Sequence, residues 1–373
     1  MTESIVVAAG GTGGHLIPAL AIADAVRCLR PDASVCFIGT ARDVERDLLA
    51  AAGYRGYRTS VRPFGRGRKA VTGPASMVPA TVQALRVLRR ARAGVVVGMG
   101  GYPSLPAIVA ARLLGVPAIV HEANGVPGLA NEVAAWFTPW IAVSHPSTVG
   151  SFRGRRPRLI GVPIRESIAR LDREALREEA IRELGLDPSR RTIVVFGGSL
   201  GAARLNAAAV GLAKAWRDRG EVQILLATGR EHFAAVRASL ASGRLLIRCV
   251  GFVERMELAY AAADVVVARA GASTVAELAA TGVPAILIPL AVARRREQHA
   301  NARALTDAGA AVMIENASLD ASSLAEVLDS ILFDAVRAAA MRGAAAAVAR
   351  PDAANDMALW ALELAKKTSR RFS

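Results

Sequence analysis

Two glycine-rich turns, each set between an apolar strand and a helix, constrain this chain more than any other feature. The first, Gly10-Gly11-Thr12-Gly13-Gly14-His15, follows Ile5-Val6-Val7. The second, Gly197-Gly198-Ser199-Leu200-Gly201-Ala202, follows Ile193-Val194-Val195-Phe196. Glycine lets the backbone approach a ligand closely, and the helix start behind it offers unpaired N–H groups to an anion. The turns lie roughly half a chain apart, so each opens its own βα domain. At 373 residues the chain exceeds one ordinary domain, and its 53% apolar content suffices for two cores.

Short apolar runs alternate with helical segments almost throughout. That pattern reads as α/β class, with parallel sheets covered on both faces. The strands expected in the first half are 5–9, 35–38, 95–97, 118–120 and 141–143. Those in the second half are 192–196, 223–227, 246–250, 265–268, 285–288 and 311–314. The best boundary is Leu159-Ile160-Gly161-Val162-Pro163-Ile164-Arg165, which gives domains 1–163 and 164–350. Residues 351–373 form a C-terminal helix and a basic tail.

Composition removes several classes. Cys28, Cys36 and Cys249 are odd in number and lack metal-ligand spacing, as expected of thiols in a reducing cytoplasm. The run that starts at Ile5 ends in glycines, unlike a secretory signal. No stretch approaches the ~20 apolar residues of a membrane span. The net charge of +15 comes mostly from arginine. It reads as a solvated surface, or as a match for an anionic membrane or a pyrophosphate substrate. No nucleic acid is expected, because no helix-turn-helix, zinc or RNA-binding signature accompanies the arginines.

The first turn lacks the last glycine of the nicotinamide fingerprint, and the strand that follows ends in Gly39-Thr40 with no acidic residue for a ribose. No P-loop lysine motif occurs. His15 stands at a helix start on the carboxyl edge of the sheet, where the helix dipole favours a neutral imidazole able to accept a proton. His121-Glu122-Ala123-Asn124 follows another strand at the same edge. Asn124 suits sugar hydroxyls there; its alternative role is to cap the next helix. In Arg269-Ala270-Gly271-Ala272-Ser273-Thr274-Val275-Ala276-Glu277, small residues at a helix start suit a diphosphate. Glu277 suits a ribose diol, or else closes a capping box. Gln298-His299-Ala300-Asn301 opens a further helix. Between Arg62 and Arg92, arginines interleave with Phe64, Met77, Val78 and leucines, which suits a membrane-surface patch or an ordinary loop and amphipathic helix.

Taken in order, these motifs resemble the MurG family of bacterial glycosyltransferases from Ile5 to about Leu305. The resemblance implies a GT-B fold of two Rossmann-like domains facing each other across a cleft. It implies inverting transfer of N-acetylglucosamine from UDP-GlcNAc to the 4-hydroxyl of MurNAc in undecaprenyl-pyrophosphoryl-MurNAc-pentapeptide (lipid I), forming lipid II. Carried over by motif, the donor contacts are Thr12, Gly13, Gly14, Asn124, Arg165, Ser199, Val253, Ala272, Ser273, Thr274, Val275, Ala276, Glu277 and Gln298. His15 is the expected base and Glu122 the second choice, with no metal and no cofactor. Partners are UDP-GlcNAc, lipid I and the anionic inner membrane surface, on whose cytoplasmic face the protein is peripheral. Another GT-B enzyme, a UDP-sugar epimerase or glycolipid synthase, is the nearest alternative. Ala123, Leu200 and Val162 depart from residues common in the family.

Overall fold

The structure, a computed structural model, describes residues 3–10, 13–40, 43–63, 68–152, 154–155, 157–198, 201–240, 242–290 and 295–369. Thr12, Ser199, Leu200, Phe64 and the end of the basic tail lie outside the described residues. The chain forms two units, one of Met1–Arg165 with Pro351–Ser373, the other of Glu166–Arg350.

In the first unit the elements are β1 (Ser4–Ala8), α1 (Gly13–Leu29), β2 (Ser34–Gly39), α2 (Asp43–Ala51), β3 (Arg55–Arg58), α3 (Arg68–Arg90), β4 (Val95–Gly98), α4 (Leu105–Leu114), β5 (Ala118–Glu122), α5 (Leu129–Ala134), β6 (Trp140–Val143), α6 (Pro146–Val149) and β7 (Arg158–Leu159). The sheet is parallel, in the order β3-β2-β1-β4-β5-β6-β7. Successive side chains of β1 face opposite layers, which is why its apolar run is continuous. Ile5 and Val7 pack with Leu16, Ile22 and Val26 of α1. Val6 and Ala8 pack with Leu88 of α3 and Ile108 of α4.

Two strands carry no sequence signal. β3 reads Arg-Gly-Tyr-Arg, is mostly exposed and lies on the sheet edge, paired with Cys36–Gly39. β7 has two residues on the opposite edge. An edge strand needs no two-sided apolar run, so neither stands out by composition. In α3, Ala80, Ala84, Val87 and Leu88 are buried at helical spacing. That leaves Val78, Val82, Arg86, Arg89 and Arg90 exposed.

The second unit comprises α7 (Glu166–Ala169), α8 (Arg173–Leu184), β8 (Arg191–Phe196), α9 (Ala203–Ala215), β9 (Val222–Ala227), α10 (Phe233–Ser239), β10 (Leu246–Val250), α11 (Met256–Ala262), β11 (Val265–Ala268), α12 (Ala272–Thr281), β12 (Ala285–Leu287), α13 (Glu297–Thr306), β13 (Ala311–Met313), α14 (Ala321–Leu332) and α15 (Ala335–Val348). Its parallel sheet runs β10-β9-β8-β11-β12-β13. Asp172 caps α8 by accepting from the Ala175 N–H at 3.0 Å. Arg173 and Arg177 of α8 then donate to the last carbonyls of α11, Tyr260 at 3.0 Å and Ala262 at 2.8 Å. Cations suit those orphan acceptors. Burial pulls the Arg173 guanidinium down to about 10.

The chain then returns to the first unit as α16 (Ala353–Ser369), which sequence alone set apart from both domains. Met357, Trp360 and Ala361 enter the same core as Ile5 and Val7. Gly94 permits the close approach, since a Cβ there would lie 3.1 Å from the Cα of Ala365. The Arg158 guanidinium stacks over Trp360, 4.3 Å from the ring centre. Among the described residues, no helix is long and apolar enough to cross a membrane.

Candidate active site

Each sheet reverses its strand order once, beside β1 in the first unit and beside β8 in the second. Parallel sheets bind ligands at the carboxyl ends of strands where the order reverses. The described parts of both glycine-rich turns and most of the described residues singled out above lie at these ends.

In the first unit His15 sits in the first turn of α1, and Met99 directly follows β4. The Nδ1 of His15 lies 2.9 Å from the Met99 carbonyl oxygen. A carbonyl can only accept, so Nδ1 carries the proton and donates, and the neutral ring keeps its lone pair on Nε2. Gly101 borders that nitrogen. It has φ +71°, and a Cβ there would lie 3.3 Å from Nε2. Burial lowers the pKa of His15 below its ordinary 6.5; the Glu122 charge and the Met99 carbonyl oppose this without reversing it.

β5 ends in His121-Glu122, both buried. The Nε2 of His121 donates to the Gly161 carbonyl at 2.9 Å, with Ser144 Oγ at 3.2 Å. Burial, aided by the positive charge His15 can carry, presses His121 down to about 4. Glu122 accepts from the Asn124 N–H at 2.9 Å and side-chain amide at 3.1 Å, from the Gly128 N–H at 2.9 Å and from Asn131 at 2.7 Å. Four donors on a carboxylate 1% exposed make Glu122 the anchor of its own loop. Asn124 does not cap the next helix, because the N-cap of α5 is Gly128. Asn131 also donates to the His121 carbonyl at 3.1 Å and abuts Gly100, where a Cβ would lie 3.0 Å from its amide nitrogen.

In the second unit α12 starts at the carboxyl edge beside β11. Its N-cap is Gly271 and no side chain caps it, so the first-turn N–H groups of Ala272, Ser273 and Thr274 face outward along the helix axis. Ser273 Oγ is buried there without a hydrogen-bond partner. Glu277 is buried, and its Oε2 accepts from the Tyr260 hydroxyl at 2.7 Å. The capping-box alternative for Glu277 is therefore not the arrangement found. Gln298 Oε1 accepts from the Leu290 N–H at 2.9 Å, and Asn301 donates to the Ala270 carbonyl at 3.2 Å. Val253 is buried beyond β10, and Arg165 is the last residue of the first unit. Gly201, at φ +75°, presses so closely on the Thr228 carbonyl that a Cβ would overlap it.

Met99, Asn131 and Tyr260 join these residues only in the structure, through bonds to His15, Glu122 and Glu277. Gly98-Met99-Gly100-Gly101 after Val95-Val96-Val97 is a third strand-to-glycine turn, and that signal was readable. Asn131 and Tyr260 stand in no motif and are found only through their partners.

Residues 5–143 match the glycosyltransferase family 28 N-terminal domain, and residues 192–357 match the family 28 C-terminal domain. A relative from Nocardioides sp. is 42% identical over 98% of this chain and 100% of its own length. It is named UDP-N-acetylglucosamine--N-acetylmuramyl-(pentapeptide) pyrophosphoryl-undecaprenol N-acetylglucosamine transferase. The chain belongs to glycosyltransferase family 28. A relative of the same name from Saccharopolyspora erythraea is 43% identical to this family 28 chain over 97% of it and 94% of its own length. The crystal structure of Acinetobacter baumannii MurG superposes with TM-score 0.76 at 28% identity, covering 98% of this chain and all of that one. A UDP-glucose:anthocyanidin 3-O-glucosyltransferase, at 14% identity and TM-score 0.68, shares the fold alone. The family 28 fold here is thus of the GT-B class, built from two Rossmann-like parallel-sheet units.

Proposed function

We propose that this family 28 chain is a UDP-GlcNAc-dependent N-acetylglucosaminyltransferase that converts lipid I to lipid II in peptidoglycan synthesis. The observation that carries the substrates is its 42% identity, over 98% of its length, to the Nocardioides transferase. The site supplies the chemistry. The 4-oxygen of MurNAc attacks C1 of the donor sugar from the face opposite UDP. The bond from C1 to the diphosphate oxygen breaks, and UDP leaves with the electron pair. The Nε2 of His15 takes the hydroxyl proton. Its support is the Nδ1 bond to Met99, which leaves that lone pair in place, and a lowered pKa that keeps the ring neutral.

The uncapped start of α12 suits the diphosphate, whose charge grows as UDP departs. Glu277, held by Tyr260, suits the ribose diol as acceptor. Ser199, Thr12, Val253, Arg165 and Gln298 complete the donor contacts by motif. Glu122 is read as the holder of the Asn124 loop in preference to a proton acceptor. No metal or cofactor is assigned. The acceptor's lipid stays in the bilayer, so the protein binds the cytoplasmic face of the membrane peripherally. Val78 and Val82 on α3, flanked by Arg86, Arg89 and Arg90, suit an anionic surface. The test is UDP release. It should rise many-fold with lipid I and not with soluble sugars; release indifferent to lipid I would count against the acceptor.

A further inference from the structure

We propose that His121 is a positioning residue that holds the Gly161 turn, and through it Arg165, in the geometry that binds the donor; this rests on the reading of Arg165 as a donor contact. His121 is wholly buried at the end of β5, one residue before Glu122. Its ring makes a 2.9 Å bond from Nε2 to the Gly161 carbonyl, which lies 40 residues away in sequence. The N–H of Gly161 is 3.3 Å from the Val143 carbonyl at the end of β6, so the turn is tied on both sides. Gly161 has φ +106°, a conformation side chains rarely adopt, so the tether holds a turn that is not locally preferred. Four residues on stands Arg165, with Val162 and Ile164 buried between them.

A proton relay is the other use a buried histidine beside His15 suggests. Among the described residues, no protein group links its Nδ1 to His15, and its Nε2 is directed to the Gly161 carbonyl and the Ser144 hydroxyl. Both of its hydrogen-bond contacts, to the Gly161 carbonyl at 2.9 Å and to Ser144 Oγ at 3.2 Å, are made through Nε2, which is the pattern of a strut.

The test is a double-mutant cycle on the full chain with UDP-GlcNAc and lipid I. H121L keeps an apolar side chain and removes the donor. It should raise the donor KM about fivefold, the size of one neutral hydrogen bond, with kcat and its pH profile nearly unchanged. H121Q, whose amide reaches about as far as Nε2, should restore KM. R165A should also raise the donor KM, and H121L should add nothing in that background. If H121L lowers thermal stability alone, or multiplies the R165A effect, or shifts the pH profile of kcat, the inference fails. If R165A leaves KM unchanged, the reading of Arg165 fails first and the inference falls with it. Should H121L not fold, G161A strains the same turn directly and is judged by the same cycle.

Discussion

At the scale of single residues, one hydrogen bond sets the chemistry open to His15. The Met99 carbonyl fixes the tautomer of His15, so the lone pair that the proposed base uses sits on Nε2. His15→Ala should therefore lower kcat by about 10²–10⁴-fold and leave UDP affinity nearly intact, because the base acts as charge develops in the transition state. Both quantities are measured on one preparation; a kcat loss below about tenfold, roughly 1.4 kcal/mol, would remove His15 as the base. The pH profile follows from the same bond. With His15 as the base, activity should fall as pH drops through the pKa of His15, with a midpoint below 6.5. Stability has the same sign at His121, whose folded value is about 4 against an ordinary 6.5. Between those values the unfolded chain binds the proton and the folded one does not. The contribution is therefore complete above 6.5 and is lost as pH falls toward 4, by about 3 kcal/mol. Thermal unfolding from pH 7 to 4 should fall less steeply for His121→Gln than for the native chain; equal slopes would contradict this. The placement of His15 and Glu277 at the carboxyl edges of their sheets is legible because each sits at a fixed offset from a glycine turn. Met99 and Tyr260 are not. One acts through its backbone, the other through a partner 17 residues away that no periodicity links to it.

At the scale of elements, the proposed donor site centres on the start of α12. Gly271 leaves the helix uncapped, and Tyr260 of α11 aims the Glu277 carboxylate. Glu277→Ala should raise the donor KM strongly, since a diol gives two charge-assisted bonds to one carboxylate. Tyr260→Phe keeps the ring packing and loses only the aiming bond, so its KM should rise less. Steady-state kinetics on the two variants checks the order, and an unchanged KM in folded Glu277→Ala would place the ribose elsewhere. The buried strands were readable as elements because both of their faces are covered, which makes Ile5-Val6-Val7 and Ile193-Val194-Val195 continuous apolar runs. β3 escaped because an edge strand of Arg-Gly-Tyr-Arg has no such run. The membership of α16 escaped for a different reason. Its amphipathic pattern shows a helix, but only Gly94 and the core around Trp360 show which unit receives it.

At the scale of the whole molecule, the chain carries a net charge of +15, and the proposed lipid-linked acceptor assigns the exposed arginines of α3 to an anionic surface. Each basic side chain near an anionic membrane is worth about 1 kcal/mol. Changing Arg86, Arg89 and Arg90 together to Glu should weaken binding to anionic vesicles, and added salt should weaken native binding likewise. Equal co-sedimentation with neutral and anionic vesicles at every ionic strength would contradict the assignment of this face. The account as a whole rests on one transfer. The decisive measurement follows radiolabel from UDP-GlcNAc, incubated with this protein and lipid I, into the lipid phase. The account predicts label in a β-linked disaccharide on the lipid, one UDP released for each sugar moved, and near-complete loss with His15→Ala. Label that stays in the aqueous phase, or returns there as a sugar inverted at C2, would contradict it.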